Sequence, residues 1–252
     1  MLWRYCTLRH CFKYISSLDH KFDPGHNSFH CLEVLAWIKN HYRHCGTKFS
    51  RKDELLILEA AALFHELDDE KLDQLIAANA AGMEAAMKKD GLRPQLQDVV
   101  KILVVHSSFK KLKIWDEIRK AQGEPSKYEA LSGLLSSADL AEAVGWQALE
   151  RSFHFHQNKL FKLYGTLPTN QQVYANVCLF YYNKENGIKP RFNAIKVLSI
   201  KNSVDGIVNA LEKEICDIFE RENLKKFFRD RNCKEYFNPK IFEEKFIQMI
   251  TD

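Results

Sequence analysis

The chain has 252 residues, 46% of them apolar and 12% aromatic, enough to bury a full core in one large domain or in a domain with an appendage. Its 37 basic and 33 acidic residues leave a formal net charge of +4, too mild a balance to argue for binding a nucleic-acid polymer. No run approaches the roughly 18 uninterrupted apolar residues of a membrane span and no secretory-type leader opens the sequence, so a cytoplasmic protein with no membrane partner is expected.

Apolar positions recur at helical spacing nearly everywhere, and strict alternation over a strand length is hard to find, which predicts an all-α fold. Residues 1–18 carry basic groups and no acid, a composition shared with transit peptides, but the spacing of Leu2, Tyr5, Phe12 and Ile15 fits a helix packing on the body of the fold. Further helices are expected near 27–43, 51–65, 70–89, 94–106, 126–144 and 146–163. They are separated by turn or cap chemistry in "DPG", "CGTKFS", "DGLRP" and "QGEPS". After Leu163 the texture changes: "YGTLPTN" breaks the pattern, and "YYNKENGIKPRFNAIKVLSIKN" reads as a loop or short-strand excursion. An amphipathic stretch follows over 203–228 and a short helix near 239–250. The expected organisation is a helical domain over 1–163 with a mostly helical C-terminal elaboration over 164–252. Seven scattered cysteines, none in a CxxC, predict reduced thiols and neither a disulfide frame nor a zinc knuckle.

The chemistry gathers at helix ends. His26 and His30, in "GHNSFH", are four apart and share a helix face. The alanine-rich run before "FHELDDEK" ends in His65 and Glu66, followed by Asp68, Asp69 and Lys71, although a buried helix end normally excludes unpaired charge. His106 closes "VVKILVV", and Asp139 closes the apolar run "YEALSGLLSSAD". Any one of these histidines alone reads as an ordinary hydrogen-bonded histidine. Together, imidazoles and carboxylates from several helices are the residue types of a divalent-metal site.

These stretches resemble the HD-domain metal-dependent phosphohydrolases, nearest to a subgroup of small bacterial HD proteins with signatures G-H-D-x-x-H, H-D-x-x-D-x-K, S-F and D-A-D-R-x-x-A-x-G. The counterparts are "GHNSFH" (25–30), "HELDDEK" (65–71), "SSFKK" (107–111) and "SADLAEAVG" (137–145), in the same order over roughly residues 10–163. The resemblance implies an HD-type helical bundle with His30, His65, Glu66 and Asp139 at the metal-ligand positions. It implies His26 beside the metal facing a substrate phosphate, with Asp69 orienting water and Lys71 neutralising phosphate charge. The alternative reading of Asp69 and Lys71 is as solvated residues of a helix N-terminus. Lys110 borders the implied pocket or belongs to a solvated lysine face. His106 is a further contact of the site, supporting a second ion or substrate, or else a structural histidine. Four positions depart from the signatures: Asn27 for Asp, Glu66 for Asp, Ser137 for Asp and Leu140 for Arg. The last removes a bidentate phosphate clamp.

The function implied is metal-dependent hydrolysis of a nucleotide or related phosphate ester or anhydride. The rival is an HD scaffold with weakened or absent turnover that binds a nucleotide or a protein partner. The mixed donor set suits Mn, Fe, Co, Ni or Zn better than an all-oxygen Mg cage. Phe219, Phe227, Phe228, Phe237, Phe242 and Phe246 are candidates either for the anchors of a homodimer or for intramolecular packing.

Overall fold

The computed structural model describes residues 6–21, 27–68, 76–105, 128–230 and 242–251. The described residues form helices and no strand, with one antiparallel bridge between Asn183 and Phe242, so the fold is all-α. No described helix is long and apolar enough to cross a membrane. The chain divides into two units, Met1–Glu142 with Ile195–Ile200, and Ala143–Ala194 with Lys201–Asp252, a division that falls well before the change of sequence texture at Leu163.

The first unit holds α1 (Arg9–Ser16), α2 (Ser28–His41), α3 (Arg51–Phe64), a 3-10 turn (His65–Asp68), α4 (Ile76–Lys89), α5 (Pro94–Val105) and α6 (Glu129–Ala143). Its hub is α3, where Ile57, Leu58 and the run Ala60 to Phe64 are fully buried and which packs against α1, α2 and α5. Three consecutive alanines add little bulk, so neighbours approach on several sides along the C-terminal half of the helix.

The charges on this hub are satisfied by segments that lack regular hydrogen bonding. Glu59 accepts from Leu8 N at 2.8 Å and Thr7 Oγ1 at 2.9 Å, and pairs with Lys39 at 2.9 Å. Glu54 accepts from Tyr42 OH at 2.7 Å, Cys45 N at 2.9 Å, Thr47 N at 3.1 Å and Thr47 Oγ1 at 2.6 Å. Asp90 does the same for α1, whose own N-cap Leu8 offers no side-chain acceptor: it takes up His10 N at 3.0 Å and Cys11 N at 2.8 Å.

The second unit holds α7 (Gln147–Tyr164), α8 (Asn170–Tyr181), α9 (Ile188–Asn193), α10 (Leu198–Arg221, its first turn grouped with the first unit), α11 (Leu224–Asp230) and α12 (Glu244–Thr251). Three features differ from the sequence reading. Helix α8 was not expected; Thr169 starts it through a capping box with Gln172. The stretch read as a loop or short strand contains α9. The run expected over 203–228 begins earlier, at Leu198, and is broken at Asn223, whose φ of 50° lies in the left-handed region that ends helices. Phe219, Phe228, Phe242 and Phe246 are buried against one another within this unit, which is intramolecular packing; Phe227 is half-buried beside them, and Phe237 lies outside the described residues.

Glu54 gives a pH test of the hub. Burial would raise its carboxyl, but the donors on Thr47, Cys45 and Tyr42 hold it down at about 2 against an ordinary 4.5, equivalent to on the order of 3 kcal/mol of folding stability. Because the folded-state value is depressed, that stability is present above about 4.5 and lost as pH falls toward about 2. Urea denaturation should show Glu54→Gln less stable than wild type by about this amount at pH 7, with the gap closing through that acid window.

Candidate metal centre

Three separate segments bring four side chains to one point. His30 enters from the first turn of α2, where Asn27 caps the helix by accepting from Phe29 N at 3.0 Å and His30 N at 3.2 Å. His65 and Glu66 lie on the 3-10 turn that closes α3. Asp139 comes from α6. His30 Nε2 stands 3.1 Å from His65 Nε2, 3.0 Å from Glu66 Oε1 and 3.4 Å from Asp139 Oδ1. His65 Nε2 is 3.1 Å from Glu66 Oε1 and 3.6 Å from Asp139 Oδ1. One donor atom from each of the four lies within 4.8 Å of every other.

These separations match a coordination shell. Ligand atoms bound at about 2.1 Å from a common ion are about 3.0 Å apart at right angles and about 3.4 Å apart at the tetrahedral angle. The protonation pattern points the same way. His65 Nδ1 is 2.8 Å from the carbonyl oxygen of Ala62, which can only accept, so Nδ1 carries the proton and neutral His65 presents a bare Nε2. His30 Nδ1 is 2.9 Å from Glu142 Oε2, a contact favourable with the proton on Nδ1, which in the neutral ring leaves Nε2 bare. Two lone pairs thus converge at 3.1 Å with two carboxylates beside them, an arrangement that calls for positive charge at its centre.

The titration tendencies agree. Burial alone would lower both imidazoles, but Asp139, Glu142 and Glu66 around His30, and Glu66 and Asp139 around His65, hold both rings well above the usual histidine range. Asp139 moves oppositely: burial would raise it, and the two histidines hold it well below the usual carboxylate range. Only Asp139 keeps appreciable exposure, with 22% of its side chain accessible against 3–9% for the other three. The centre therefore opens on the Asp139 side.

All four residues implied as metal ligands are brought together. His26, Asp69, Lys71, His106 and Lys110 lie outside the described residues. Three departures from the HD signatures have duties in the fold: Asn27 is the N-cap of α2, Leu140 is buried in the core, and Ser137 Oγ accepts from Lys196 N at 3.1 Å and Val197 N at 3.2 Å. The fourth, Glu66, reaches both histidines from the 3-10 turn, whose tighter winding rotates it relative to an α-helical continuation. Sequence reasoning missed Glu142. Its signal was available: it lies three residues after Asp139 and so on the same helix face. No family model, curated protein or solved structure matches the chain.

Titration of metal-stripped protein with Mn(II), Co(II) or Zn(II) should show one bound ion per chain and a rise in thermal midpoint, since an ion at about 100 times its Kd adds about 2.7 kcal/mol. His65→Ala and Asp139→Ala should abolish the thermal shift. Glu66→Asp draws the carboxylate back by one methylene and should weaken binding by about tenfold or more, because metal sites tolerate displacements of only about 0.2 Å; equal or tighter binding by Glu66→Asp would show that the longer side chain is not matched to this turn.

Proposed function

We propose that the protein is a metal-dependent phosphohydrolase of the HD type, acting on a nucleotide or a related phosphate ester or anhydride. The observation that carries this is the convergence of His30, His65, Glu66 and Asp139, from three segments, on one cation-sized point. It supports a metal; the resemblance of the four signature stretches adds the phosphate-bearing substrate, and nucleotide as its class.

When bound, a divalent ion supplies Lewis acidity toward a phosphoryl oxygen and toward water. His30, His65, Glu66 and Asp139 would hold it. The near-complete burial of the two imidazoles keeps bulk water from competing for their Nε2 atoms, while the partial exposure of Asp139 leaves that side for the substrate. By the resemblance, Asp69 handles the proton of the attacking water, and His26, Lys71 and Lys110 offset phosphate charge.

A second reading, a binding protein with weakened turnover, is favoured by Leu140. At 1% exposure in the core, it supplies no guanidinium where the HD signature carries its arginine.

A panel of nucleoside mono-, di- and triphosphates incubated with Mn(II)-loaded protein tests both. The hydrolase should release phosphate or pyrophosphate from at least one member. His65→Ala and Asp139→Ala should each lower kcat/KM by at least roughly a hundredfold, about 2.7 kcal/mol of transition-state stabilisation, with unchanged far-UV circular dichroism. Nucleotide binding without release from any member would instead support the binding protein.

A further inference from the structure

We propose that Glu142 is a positioning residue of the metal centre: it holds His30 through Nδ1 so that Nε2, without its proton, faces the other ligands. The inference rests on the reading of the four-residue cluster as a cation site. Glu142 and His30 are both 4% exposed, and Glu142 Oε2 approaches His30 Nδ1 at 2.9 Å. The opposite nitrogen of the same ring faces Asp139 Oδ1 at 3.4 Å. One turn of α6 therefore brackets the imidazole, with Asp139 on the side of the ion and Glu142 behind.

The two histidines are fixed by different devices. His65 leans on Ala62 O, one of the carbonyls that a helix C-terminus leaves free. That support is backbone, present whatever side chain stands at 62. His30 sits in the first turn of its helix, where free N–H groups abound and free carbonyls do not. Its Nδ1 lies instead at ion-pair distance from a carboxylate on another helix. A carboxylate there also makes the ring a better donor to a cation than a neutral acceptor would, the role that outer carboxylates play behind metal-bound histidines. Burial of a full charge at 142 costs free energy, and this duty offsets it.

The test uses full-length protein, wild type, Glu142→Gln and Glu142→Leu. Glutamine keeps an acceptor oxygen and loses the charge; leucine loses both and suits a buried position. Zinc affinity, measured by competition with a chromophoric chelator, should fall in the order wild type, Gln, Leu, the last by roughly 10–100-fold. Long-range 1H–15N spectra of histidine-labelled wild type should show a proton on His30 Nδ1 and none on Nε2, both with zinc and, at a pH where the ring is neutral, without it. In Glu142→Leu without zinc, at a pH where the ring is neutral, that proton should shift toward Nε2. An unprotonated His30 Nδ1 in wild type, or zinc binding by the leucine variant within twofold of wild type, overturns the proposal. If the leucine variant does not fold, by circular dichroism, the wild-type spectra and the glutamine variant decide. If wild type binds no divalent ion, the cation reading fails, while the protonation of His30 Nδ1 in metal-free protein still tests the role of Glu142.

Discussion

Two imidazole nitrogens face each other at 3.1 Å, and in the neutral tautomers that their Nδ1 contacts favour, both carry lone pairs toward the same point. Left alone, two lone pairs at that distance repel. With Glu66 and Asp139 on the same point and Glu142 behind, three carboxylates stand about the two rings. Burying such a set is unfavourable unless a cation or protons occupy its middle. The upward pull on both histidines and the downward pull on Asp139 express the same demand in terms of protons; a divalent ion meets it with two charges at one place.

The architecture of the first unit makes the demand sustainable. Helix α3 is buried on nearly every side because its alanines admit close neighbours, and a rigid interior helix delivers its C-terminal turn to a fixed position. The 3-10 winding there turns His65 and Glu66 to the same centre, and the carbonyl of Ala62, freed at the helix end, locks the ring of His65. The other charges on α3 pay no comparable penalty: Glu54 and Glu59 are each ringed by donors from otherwise irregular backbone. The helix and its closing turn thus carry two kinds of buried acid, one met by backbone and hydroxyl donors and one facing two imidazoles.

His65, Glu66 and Asp139 were legible because they close apolar helical runs, where a charged or titratable side chain needs a reason, and His30 through its four-residue spacing from His26; the resemblance of the four stretches joined them into one set. Glu142 was missed: its one sequence signal, a place three residues after Asp139 on the same helix face, is shared by many solvated acids, and the distance to His30 is what separates it from them. Helix α8 escaped because "NQQVYANVCLFY" lacks a clean apolar stripe, although Thr169 and Gln172 carried a start signal. The break at Asn223 has no Gly or Pro to mark it, and asparagine takes the left-handed conformation at low cost. The all-α character was plain from helical spacing alone.

Sequence differences from a signature are easily read as loss of function, yet at three positions the structure gives the replacing residue work elsewhere. Asn27 caps the helix that presents His30, a duty an aspartate there could also perform. Ser137, two residues before Asp139, spends its hydroxyl on the backbone of Lys196 and Val197, so the segment 195–200 is tied to the ligand-bearing helix by a neutral acceptor. An aspartate there would bury a further negative charge on the helix that carries Asp139 and Glu142. The serine hydroxyl accepts the two N–H groups without that cost, so the residue at 137 is accounted for by the packing of the ligand-bearing helix against the 195–200 backbone.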